Sequence, residues 1–190
     1  MKNETTRELT FENPAAEGAH RNVVDYYQEW ETEAIKADLS ANRAEAVAVC
    51  MNLTNDFNKG SVLRALNAHN LKELWLVGSK RWHRRGSVGT HHYSTMKHSE
   101  DWESVFAELR EQGYTILAVD NTEGAKAIYD TPMPAKTAFI FGEEQAGLSD
   151  EVIAAADGLI YIPQFGSVRS MNIAQAAAIC FYEYRRGHRE

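Results

Sequence analysis

The chain has 190 residues, 44% hydrophobic and 25% charged, with a net charge of −7 at pH 7, the profile of one soluble globular domain. No apolar run approaches the roughly eighteen residues that a membrane helix needs, and the opening MKNETTRELTFENP lacks a signal-peptide core, which excludes a spanning segment and a secretory leader and leaves a cytoplasmic location as the expectation. Cys50 and Cys180 both sit in apolar runs, which suits buried free thiols rather than a disulfide.

Residues 1–20 are polar, punctuated by Asn13-Pro14 and Gly18, and read as a mobile tail. A helix is expected over 22–38, with Val23, Val24, Tyr27, Trp30, Ala34 and Ile35 as an incomplete apolar stripe. The apolar run 46–51 reads as a buried strand, followed by a loop over 52–59 and a helix over 61–68. A second strand is expected at 73–78, then a loop-like stretch over 79–98 containing Gly86 and Gly89. Residues 100–112 read as a helix with Trp102, Val105, Phe106 and Leu109 inward, and 114–119 as a strand. A short helix over 122–129 precedes the turn at 131–134.

The last third is the most informative. Residues 137–141 have the length and composition of a buried strand, and Gly142 ends it. Ser149 is a credible helix cap with Asp150 and Glu151 in the first turn, and Gly158 is the expected stop. Residues 159–162 form the next strand, closed by Pro163. After Gly166, Ser170 can cap a helix in which Ile173, Ala176, Ala177, Cys180, Phe181 and Tyr184 recur at helical spacing, with Gly187 as the stop. Alternating strands and helices predict an α/β fold, a parallel sheet with helices on both faces. Two glycine-containing loops leave the carboxyl ends of two strands, where open α/β sheets bind small molecules.

Net acidity does not exclude nucleic acid, because phosphate contacts need only a local basic face. Lys80, Arg81, His83, Arg84 and Arg85 form one basic run; Arg185, Arg186, His188 and Arg189 form a second. His83, His91, His92 and His98 lack the carboxylate or cysteine spacing of a metal site, and none is expected. Dinucleotide and phosphate-loop signatures are absent.

Three blocks carry a resemblance. Asn58–Arg64 reads N-x-G-x-x-x-R, Phe141–Ser149 reads F-G-x-E-x-x-G-L-S, and Ile162–Ala174 reads I-P-x-x-G-x-x-x-S-x-N-x-A. In this order they resemble the three motifs of the SpoU/TrmH class of RNA ribose 2′-O-methyltransferases, in the SPOUT superfamily. The resemblance covers about residues 46–186, so a methyltransferase domain over 45–190 follows a tail and helical extension over 1–44.

The resemblance implies a C-terminal trefoil knot, S-adenosylmethionine as methyl donor and a homodimer whose active sites are completed across the subunit interface. It places the cofactor's adenine against Gly142, Ile162 and Met171. It makes Arg64 the general base or its activator; a guanidinium scarcely loses its proton, so clamping the substrate phosphate and polarising the hydroxyl is the physically easier role. Asn58 would orient Arg64 or the ribose, and Glu144 would fix Asn58 or Arg64 by accepting a hydrogen bond. Ser170 is a helix cap, a phosphate or ribose contact, or both; Asn172 has no evident capping role. Gln164 stands where many members have methionine and Met171 where leucine is usual. Lys80, Arg84 and Arg85 are expected to face RNA (tRNA or rRNA), the segment around Arg84 and Arg85 being alternatively a subunit contact, and Phe181, Tyr182 and Tyr184 of the last helix to contact a second subunit. The alternatives are a non-catalytic RNA-binding protein that keeps the fold, and a SPOUT enzyme that modifies a base or a protein.

Overall fold

A computed structural model describes residues 22–188. The tail expected over 1–20 lies outside the described residues, as does Arg189.

The centre is a seven-stranded sheet: β1 (Ala44–Met51), β2 (Leu71–Val77), β3 (Thr95–Ser99), β4 (Thr115–Val119), β5 (Lys126–Ala127), β6 (Thr137–Phe141) and β7 (Gly158–Tyr161). Their order is β3-β2-β1-β6-β4-β7-β5, and every pairing is parallel. β1 and β6 are apolar at nearly every position because both faces of a central parallel strand are covered.

Alternate side chains of β1 divide between two layers. Ala46, Ala48 and Cys50 pack with Phe139 and Phe141 beneath α2 (Asp56–Ala68) and α6 (Ile173–Gly187). Val47, Val49 and Met51 join Ile116, Ala118 and Ile140 beneath α4 (Trp102–Glu111) and α5 (Asp150–Ala155). Burial pushes the Cys50 thiol up to about 12, that of an inert core residue, and both cysteines are free and buried. A third, small cluster of Tyr27, Ile35 and Tyr93 seats α1 (Thr32–Ala41).

The sheet positions the site through its order. From β1 the chain builds β2 and β3 on one side, then returns to the other side for β4, β6 and β7. At such a reversal the loops leaving the strands' carboxyl ends diverge and open a crevice. The segments after β1, β4, β6 and β7 leave the same end of four adjacent strands.

Several expected elements differ. The helix over 22–38 is broken: a 3-10 turn at Asp25–Tyr27 precedes α1, and Glu31 is extended between them. Trp30 packs on Tyr26 and Tyr27 at 5.0 and 5.5 Å, which favours the break. Residues 79–98 are not one loop; they hold α3 (Arg84–Ser87), a 3-10 turn at Thr90–His92 and β3. β3 was hidden because an edge strand, half-buried, needs no apolar run, and TMKHS has none. Its Lys97 instead reaches Glu73 and Glu108, both at 3.1 Å. The helix expected over 122–129 is β5 and a 3-10 turn, drawn into the sheet by pairing with β7. Gly158 does not stop a helix. α5 ends at Ala155, and Gly158 opens β7, where Leu117 leaves little room for a side chain.

Candidate active site

α2 starts earlier than expected. Asn55 caps it, its Oδ1 accepting from the Phe57 amide at 3.0 Å, so Asn58 lies in the first helical turn rather than in a loop. There it is buried, and its amide is bonded on both sides. Nδ2 donates to Glu144 Oε1 at 3.0 Å, and Oδ1 accepts from Asn172 Nδ2 at 3.1 Å. A carboxylate can only accept, which fixes which way the Asn58 amide points. Asn172 in turn caps α6, its Oδ1 accepting from the Ala174 amide at 2.9 Å. One line of side chains therefore joins the three sequence blocks.

Glu144 also accepts from the Thr54 amide at 3.1 Å, the Thr54 hydroxyl at 3.3 Å and the Asn55 amide at 3.3 Å. Burial alone would raise its carboxyl; the bonds from Asn58 and from backbone amides outweigh it and hold Glu144 below the ordinary value.

The turn carrying Glu144 is tightly closed. Glu143 and Gly147 exchange backbone hydrogen bonds at 3.0 and 2.9 Å. A Cβ on Gly142 would lie 2.2 Å from the Gly147 carbonyl carbon, and Gly147 itself has φ +71°. Only glycine fits either place. Asp120, just past β4, accepts from the Leu148 amide at 2.9 Å and ties the turn to the sheet. Gly166, by contrast, would place a Cβ in open space.

These walls enclose a cleft of about 600 Å³, a size suited to a small-molecule ligand. Gly142, Ile162 and Met171 line it together with Asn58, Glu144, Ser170 and Asn172. Asp120, Asn55 and Arg169 line it too, and the sequence reading missed them. Arg169 is held through its carbonyl, which accepts from Asn121 Nδ2 at 3.4 Å and Gln164 Nε2 at 3.5 Å.

Three expectations need correction. Ser170 is exposed on the cleft wall and does not cap α6; Asn172 does, which supplies the capping role it was thought to lack. Arg64 is not in the first turn of its helix. With α2 starting at Asp56 it sits in the third turn, exposed, and outside the cleft lining. Phe181 and Tyr184 are 0% and 2% exposed, core residues that leave only Tyr182 of the three at the surface.

Of the basic residues, Lys80, Arg84 and Arg85 are exposed. In the second run Arg185 donates to the His69 and Asn70 carbonyls at 2.7 and 3.0 Å, and exposed Arg186 pairs with Glu183 on the helix surface. Lys59, unremarked in the sequence, is 1% exposed and holds the loop after β2 to α2.

The SpoU rRNA Methylase family matches residues 45–182. The chain belongs to this family. A tRNA (guanosine(18)-2'-O)-methyltransferase of Thermus thermophilus is 30% identical over 155 residues, 80% of each chain. The enzyme of that name from Escherichia coli K12 is 27% identical over 78% of this chain and 67% of its own. Among solved structures, the TrmH/SpoU tRNA modifying enzyme of A. aeolicus superimposes with a TM-score of 0.75 at 21% identity, covering 83% of this chain and 82% of that one. An AdoMet-bound rRNA methyltransferase from Sinorhizobium meliloti gives 0.69 at 24% identity, over 78% of this chain and 58% of that one. In this SpoU member the three sequence blocks meet at Asn58, beside the cleft.

Proposed function

We propose that this protein transfers the methyl group of S-adenosylmethionine to a ribose 2′-hydroxyl of tRNA. The observation that carries the reading is the hydrogen-bonded line Glu144–Asn58–Asn172 at the end of a cleft walled by the two glycine-containing loops. The relatives named for guanosine 18 of tRNA make that nucleotide the first to assay.

The cleft suits the cofactor by its chemistry. Asp120 and Glu144 offer carboxylates to a sulfonium and an ammonium, Arg169 offers a guanidinium to a carboxylate, and half-buried Ile162 and Met171 offer apolar surface to an adenine. When bound, S-adenosylmethionine supplies an electrophilic methyl group for the ribose oxygen. Asn58, Glu144 and Asn172 hold the reacting end of the site rigid, so that little reorganisation is needed when the ribose arrives. Ser170 lies at the wall, where its hydroxyl serves as a ribose or phosphate contact. Arg64, exposed on α2 and outside this cleft, clamps a substrate phosphate, whose oxygen takes the hydroxyl proton as the methyl is transferred and the cofactor leaves as a neutral thioether, while the guanidinium keeps its own proton.

The active assembly in this reading is a homodimer working in the cytoplasm, with residues 45–190 as the methyltransferase domain and 1–44 as an extension. Exposed Ile179 and Tyr182 on α6 are its proposed contacts. The C-terminal segment is read as knotted. Supporting this, β7 lies outside β4, yet α6 returns across β6 to pack against α2, past the tightly closed turn at Gly142.

The test is methyl transfer from labelled S-adenosylmethionine to bulk tRNA and rRNA, with ribose methylation identified after nuclease digestion. Labelled ribose in tRNA, lost in Arg64→Ala, is expected. Cofactor binding without transfer to either RNA would count against the reaction, and failure to bind cofactor would favour the non-catalytic RNA-binding alternative.

A further inference from the structure

The loop after β2 is built onto the first two turns of α2. The His83 amide donates to the Asp56 carbonyl at 3.0 Å. Buried Lys59 donates to the Ser79 and Arg81 carbonyls at 3.2 and 2.6 Å and pairs with Asp56 at 3.2 Å. Backbone then packs on backbone: a Cβ on Gly60 would lie 2.8 Å from the His83 carbonyl oxygen, and one on Gly86 would lie 2.6 Å from that of Phe57. This docking sets the His83 ring flat on Phe57, with centroids 4.3 Å apart and planes at 12°. His83 Nδ1 accepts from the Arg85 amide at 3.2 Å, which fixes the ring's position in the stack.

Phe57 is nevertheless 50% exposed. A ring that served only to fill a core or staple a helix end would be covered. This one stands in solvent between Asn55 and Asn58, both of which line the cleft, and beside the exposed cations Lys80, Arg84 and Arg85. Presenting a ribose hydroxyl to a recessed site requires its nucleotide to leave the RNA stack, and the displaced base then needs a new flat partner.

We propose that the Phe57–His83 stack is a platform for a nucleobase of the RNA substrate, placed next to the methylated ribose. The inference rests on the RNA-methylating reading above. Stacking accepts any base, so the platform contributes affinity and placement rather than sequence choice. Phe57 touches no reacting atom and is a positioning residue.

The experiment measures tRNA affinity and methylation kinetics for wild type, Phe57→Ala, Phe57→Leu and Phe57→Trp, each checked for thermal stability and cofactor binding. A single-stranded RNA carrying 2-aminopurine reports stacking directly. Ala and Leu are expected to weaken RNA binding and raise KM by about tenfold, the order of one lost base–aromatic stack. kcat and cofactor affinity should stay within about twofold, because the interaction is made equally in the ground and transition states. Trp is expected to restore affinity and quench 2-aminopurine. Wild-type affinity in Phe57→Leu would show apolar packing in place of stacking and overturn the proposal, as would unchanged RNA affinity in Phe57→Ala. Affinity is read without turnover, so wild-type protein that binds RNA but transfers no methyl would sink the enzymatic reading while the platform is still decided.

Discussion

Asn172 does two things with one side chain, and they can be separated. Its oxygen caps α6 and its amide nitrogen holds Asn58. Serine caps about as well as asparagine but has no second donor at that reach. Asn172→Ser is therefore expected to keep the thermal midpoint near wild type and to lower kcat by about tenfold, the order of one lost orienting hydrogen bond. Asn172→Ala should add a stability loss of about 1 kcal/mol. Equal stability losses in both would show that the residue is only a cap. Glu144 makes a pH prediction. Its folded-state value lies below the ordinary 4.5, so its contribution to stability is present above that pH and is lost as pH falls through the lower folded value. The gap in thermal midpoint between wild type and Glu144→Gln is expected to be full near neutrality and to close on acidification below 4.5. The roles at this scale were legible only by resemblance. No spacing rule joins Asn58 to Asn172, 114 residues apart, and the capping role of Asn172 went unseen because the expected helix began too early. Asp120 and Arg169 carried no local signal at all; a strand end and a loop look alike with or without a site.

The elements were legible where burial leaves a periodic record. β1, β4, β6 and α4 follow the sequence reading to within a residue or two, because a covered strand is apolar throughout and a half-covered helix repeats at its own pitch. β3 and β5 leave no such record, since each lies at a sheet edge and takes its conformation from a neighbour. Glycines were legible as punctuation but not in kind. Gly142 and Gly166 look equivalent in sequence, yet one is pressed against Gly147 and the other faces open space. Gly142→Ala is expected to cost about 1–3 kcal/mol by forcing the turn apart, and to lower cofactor affinity with it. Gly166→Ala should melt as wild type does. Equal melting behaviour for the two variants would contradict the packing described here.

At the scale of the whole molecule, an acidic protein is assigned a polyanionic substrate, and the distribution of charge makes the two compatible. Arg185 is tied into the fold by the His69 and Asn70 carbonyls and Arg186 is paired with Glu183, whereas Lys80, Arg84 and Arg85 are exposed on the segment docked to α2. RNA affinity is expected to fall with salt, and Arg84→Ala with Arg85→Ala should reduce the log–log slope by roughly 1–2, near one per phosphate contact. An unchanged slope would move the RNA surface elsewhere.

The bond between Asn58 and Asn172 also settles when during synthesis the centre can exist. A nascent chain that has emerged only through Tyr161 already contains all seven strands, and so every backbone partner the sheet requires. It has no α6, no Asn172 and an unfinished cleft. Strand pairing and core closure are thus separable: without α6 the layer holding Phe139 and Phe141 lies uncovered, so a product truncated there has its sheet paired but one face exposed, and the same final helix completes both the core and the cleft.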